Sequence, residues 1–81
     1  MAINTYGRKI QENDNKVFYS FGIDYYNLTG KLLINKTSLE LTKLVEGTHK
    51  ADRIAFFKIG YKAIKIFNQE GFFPDSVASI S

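Results

Sequence analysis

The chain has 81 residues, room for one small domain whose whole stability is about 4–12 kcal/mol at the usual per-residue value. It is 44% hydrophobic and 23% charged, with one proline and no cysteine, which excludes intrinsic disorder, fibrous repeats, a disulfide framework and a thiolate zinc site. Eleven Lys/Arg against eight Asp/Glu give a net charge of +3, which permits nucleic-acid contact without requiring it.

Residues 3–10 read as a first strand with Gly7 inside it, and the polar run Gln11 to Asn15 reads as a loop. Residues 16–26 carry the clearest strand signal. Val17, Tyr19, Phe21, Ile23 and Tyr25 fall on one face by period two and are expected to meet the core. Asn27 and Gly30 supply hairpin chemistry, and residues 31–36 make a third strand.

Thr37-Ser38-Leu39-Glu40 matches a capping box, so a short helix is expected over 39–46, with Leu41, Leu44 and Val45 as its apolar edge and Gly47 as its stop. Thr48 is placed to cap a long helix over 49–70, ended by Gly71. Residues 74–81 are small and polar and are expected to be loosely ordered. The predicted fold is therefore α+β, a three-stranded antiparallel sheet (3–10, 16–26, 31–36) with both helices packed on one face in a single small domain.

Within the long helix, Ile54, Phe56, Phe57, Ile59, Tyr61, Ala63, Ile64, Ile66 and Phe67 spread over about two-thirds of the helical wheel. A helix lying on one sheet needs a narrower apolar arc, so either neighbouring segments wrap it or a partner covers it. Gly60 sits on the apolar side, where its cost of about 1 kcal/mol relative to Ala is offset by a close backbone approach, expected to be intramolecular. The remaining third of the wheel holds Lys58, Lys62 and Lys65, a ridge suited to an acidic partner or phosphates or else a solvated face.

The candidate partner-binding residues are Phe18, Tyr26 and Tyr61, aromatics that an 81-residue core does not need, with Lys58, Lys62 and Lys65. A second basic set, Arg8, Lys9, Lys16, Lys31 and Lys36 on or beside the strands, is the nucleic-acid alternative, with outward aromatics as a stacking platform. The order of three strands and a helix resembles, in element order alone, the small sheet-type DNA-binding modules at the front of phage-type integrases. That resemblance implies a base-reading outer sheet face, but here Ser20, Gly22 and Asp24 hold central positions where such modules carry Arg or Lys.

Catalysis is not expected. His49 is the one histidine, the six glycines form no phosphate-cradling loop, and the serines lack a nucleophile elbow. No catalytic residue, metal or cofactor is predicted. Met1 to Tyr6 lacks the apolar core of a signal peptide and no run approaches a membrane helix, so a cytoplasmic chain without membrane contact is expected. The functional expectation is a small non-catalytic protein that regulates or inhibits a protein partner, of the kind short phage or mobile-element proteins provide. The alternatives are a nucleic-acid-binding accessory protein and a structural homo-oligomer.

Overall fold

The computed structural model describes residues 3–80. Period-two alternation builds β2 (Lys16–Gly22), whose Val17, Tyr19 and Phe21 are all fully buried. Around it stand β1 (Thr5–Glu12), β3 (Gly30–Asn35), β4 (Leu41–Val45) and β5 (Ser76–Ser79), with one helix, α1 (Asp52–Glu70), between β4 and β5. The order across the sheet is β4-β3-β2-β1-β5, and every neighbouring pair is antiparallel. The fold is α+β, a five-stranded antiparallel sheet with one helix.

The core lies between one sheet face and α1. Val17, Tyr19, Phe21, Leu32 and Ile34 meet Ala55, Phe56, Ile59 and Ala63, with Phe73 and Val77 closing one side. The phenol of Tyr19 donates to the carbonyl of Pro74 at 2.5 Å, so its buried hydroxyl is satisfied. Phe67 stacks on Phe73 with ring centroids 4.4 Å apart.

Besides β1 running on through Gln11 and Glu12, which the sequence reads as loop, four segments depart from the expected pattern. The segment read as a short helix over 39–46 is strand β4. Its supposed capping box is an Asx turn, in which the Asn35 side-chain oxygen accepts the N–H groups of Thr37 and Ser38. Leu39 takes φ 60°, and Asn35 and Glu40 close a β3–β4 hairpin through a backbone bond of 3.0 Å. Apolar spacings of three and four fit a strand here because the register shifts opposite Lys31–Leu32, leaving Leu44 as a bulge residue.

The second correction is β5. Residues 76–79 of the tail pair with Thr5 to Arg8 of β1 and bury Val77; Ser81 falls outside the described residues. Third, β2 stops at Gly22; Ile23 still packs half-buried against the core from beyond the strand, but Tyr25 does not meet the core. The Asp24 carboxylate accepts the Tyr26 N–H and turns the chain there, leaving Tyr25 and Tyr26 exposed.

Fourth, α1 begins at Asp52, and Thr48 does not cap it. The N-cap is Ala51, without a side-chain cap, while the Thr48 N–H donates to the Thr29 hydroxyl. The C-terminus is where the glycine predicts it, with Gly71 at φ 84° and its N–H bonded to the carbonyl of Phe67. Among the described residues, no helix is long and apolar enough to cross a membrane.

Candidate functional site

The wide apolar arc of α1 is only partly covered. Leu41 of β4 packs into the notch at Gly60, where a Cβ would stand 2.5 Å from a Leu41 methyl, so the close approach expected at this glycine is intramolecular. Phe73 covers Phe67. Leu44, Val45 and Phe72, the other segments able to wrap the helix, are themselves exposed.

What remains open is the outer side. Ile54, Phe57 and Tyr61 succeed one another at spacings of three and four, and the rings of Phe57 and Tyr61 stack within 13° of parallel. Phe57 is 54% exposed and Tyr61 59% exposed. At the N-terminal end of this stripe, Lys50, Arg53, Ile54 and Phe57 line a shallow cleft of about 390 Å³. Lys65 is exposed one turn beyond Tyr61. From Arg53 to Gln69 the helix carries no carboxylate.

Of the residues singled out in the sequence, Tyr61 and Lys65 belong to this surface. Lys58 is partly buried on its flank. Lys62 leaves the ridge, because its ammonium donates to the carbonyl of Ala78 on β5. Phe18 lies on the opposite side of the molecule, on the sheet face away from α1, and Tyr26 lies in the β2–β3 loop, 93% exposed. Ile54 and Phe57 belong to the wide apolar arc that the sequence predicts, while Lys50 and Arg53 carry no signal of their own in the sequence. The excess width of the arc signalled that some apolar residue there lacked a neighbour, and only the position of β4 decides which.

The basic strand residues divide in two. Register places Arg8, Lys16 and Lys31 on the open sheet face, where Arg8 and Lys31 flank Ser20. Lys9 and Lys36 instead converge on Glu12, at 2.7 and 2.8 Å, on the other side of the sheet. Bonds from Lys36 and then Lys9 hold the Glu12 carboxyl below the ordinary carboxylate value. Lys9 is raised in turn, first by Glu12 and further by Asp75, against an opposing effect of burial. Burial, with the nearby Glu12 and Asp75 charges, pushes the Tyr19 phenol up.

A second concavity, about 520 Å³, opens between the β2–β3 loop and the start of α1, lined by Tyr6, Tyr25, Tyr26, Thr48, His49 and Asp52 among others. Asp52 is its structural floor. Only 3% exposed, its carboxylate accepts the N–H groups of Ile23 and His49 at 3.1 Å and the Thr29 hydroxyl at 3.3 Å. It therefore ties the end of β2 and the approach to α1 together. His49 uses Nδ1 to accept the Ala51 N–H. Both residues are engaged in holding the fold. Comparison with protein-family models, with curated proteins and with solved structures finds no match to this chain.

Proposed function

We propose that this protein is a non-catalytic binding module that engages a protein partner of acidic and apolar surface through the outer face of α1, acting as a regulator or inhibitor by covering that surface. The observation that carries this reading is the exposed Ile54-Phe57-Tyr61 stripe beside a cleft walled by Lys50 and Arg53. Large aromatics are the residues that become interface hot spots, and in a chain of this size an exposed stacked pair contributes more to a partner than to the fold. The flanking cations select charge: a partner carboxylate beside an apolar side chain meets Lys50 or Arg53 while its neighbour enters between Ile54 and Phe57.

The test is affinity capture from the producing cell with the wild-type chain and with a Phe57→Ser/Tyr61→Ser variant in parallel. The reading expects a defined protein retained by the wild type and lost by the variant. The same protein retained by both, or none retained by either, contradicts it.

A further inference from the structure

The sheet face turned away from α1 is a second surface with a different character. Register pairs place Tyr6, Arg8 and Gln11 of β1, Lys16, Phe18 and Ser20 of β2, Lys31 and Leu33 of β3, and Thr42 and Val45 of β4 on it. Among the described residues at these strand positions, every charge is positive: Arg8, Lys16 and Lys31, all exposed. Arg8, Ser20 and Lys31 form one row across three strands, which sets the two cations roughly 10 Å apart at their Cα atoms. Lys16 stands about 13 Å along β2 from that row.

Rings border both ends of this basic triangle. Near Lys16, Phe18 sits opposite Leu33 and is only partly covered. Near Arg8, Tyr6, Tyr25 and Tyr26 form a chain of edge-to-face contacts at 5.6 and 5.2 Å, and the Arg8 guanidinium lies 5.1 Å from the Tyr25 ring centre. Of the carboxylates at this margin, Asp24 accepts the Tyr26 N–H within the loop and Asp52 is buried and holds the Ile23 and His49 N–H groups.

We infer that the open face of the sheet binds single-stranded nucleic acid, with Arg8, Lys16 and Lys31 on phosphates and Tyr26, Tyr25 and Phe18 stacking on bases. Cations spaced across an open sheet with accessible ring faces suit a polyanion that has exposed π surfaces, as a single strand does. A duplex hides its base faces, so rings on this surface would have nothing to stack on. This surface is independent of the α1 stripe, and each stands or falls without the other.

The test is fluorescence anisotropy of the full chain with labelled oligo(dT) and oligo(rU) of about twelve nucleotides and with a duplex of the same length, titrated against salt. Single strands are expected to bind more tightly than the duplex, with a log–log salt slope near about −2 for three phosphate contacts. Joint Arg8→Glu, Lys16→Glu and Lys31→Glu replacement, with retained circular dichroism, is expected to weaken binding at least about tenfold. Tyr26→Ala, at a site too exposed to disturb folding, is expected to weaken it about 5- to 100-fold. Phe57→Ser leaves it unchanged. Absence of salt-dependent single-strand binding overturns the proposal, as does tighter binding of the duplex or unaltered affinity in Tyr26→Ala.

Discussion

Gly7 and Ile59 set the distance between sheet and helix. A Cβ at Gly7 would stand 2.4 Å from the Ile59 Cγ2, a methyl fixed directly on the branched Cβ that cannot swing away as the tip of a longer side chain can. Ile59 is fully buried, so moving it means moving α1. Gly7→Ala is expected to destabilise the protein by about 1–3 kcal/mol through overpacking. Gly60→Ala should cost less, because the two Leu41 methyls it meets, at 2.5 and 2.7 Å, form the free end of a half-buried side chain on an edge strand and about 1 kcal/mol of helix propensity is regained. Urea denaturation of both variants checks the order; equal losses would contradict it.

Adjacent phenylalanines on α1 are expected to behave in opposite ways. Phe56, 8% exposed and in contact with Phe21, belongs to the core, and Phe56→Ala should cost about 3–5 kcal/mol. Phe57→Ala should change stability by no more than about 1 kcal/mol, since the ring is already half in water. A large loss at Phe57 would mean that the ring supports the fold, and the proposed interface would lose its centre.

Glu12 links stability to pH. Its carboxyl is held below the ordinary value of 4.5 by Lys36 and Lys9, so the ionised form is favoured in the folded state. The resulting stabilisation is present above the unfolded value and disappears as pH falls through the lowered folded value. The size is that of a well-formed, partly exposed ion-pair network, about 0.5–1 kcal/mol. Glu12→Gln should remove this increment at pH 7 and flatten the decline in stability below about pH 4.5. Lys9 has the mirror behaviour: its raised value adds stability that is lost as pH rises above its ordinary 10.5. Chemical denaturation across pH for wild type and variant decides this, and parallel curves would contradict it.

Lys62 protects a sheet edge. The Lys9 N–H bonds to the Asp75 carbonyl, and ladder alternation from that pair turns the Ala78 carbonyl away from β1 toward the free edge. Lys62 occupies that carbonyl, one of the ways natural sheets discourage edge-to-edge pairing. Lys62→Ala should raise concentration-dependent self-association in light scattering, while Lys65→Ala, at the exposed neighbouring position, should not. A monomeric Lys62→Ala protein would show that the edge needs no such cover.

Where one interaction dominated, the sequence was legible. The alternation of Val17, Tyr19 and Phe21 located the central strand, and Gly71 located the end of α1. Beyond Ile23, which still packs against the core, the pattern continued in the sequence but not in the chain, because the Asp24 turn redirects Tyr25. At Thr37 to Glu40 two local chemistries competed for the same residues. The Asn35 side chain captured the N–H groups, and a bulge let Leu41, Leu44 and Val45 serve a strand. Strand β5 had no periodic signal, with Val77 its single buried side chain, and it exists through pairing with β1. The candidate surface was half legible: an arc too wide for one sheet pointed to it, but which residues stayed uncovered depended on β4 being a strand.

Site-specific photo-crosslinking in the producing cell decides whether the outer face of α1 meets a protein. A photoreactive residue at position 61 should give a discrete protein adduct, with no matching adduct from Glu40 on the far hairpin, and Lys50→Glu/Arg53→Glu should abolish it. No adduct at position 61, or the same adduct from both positions, would show that this face of α1 is not the interface.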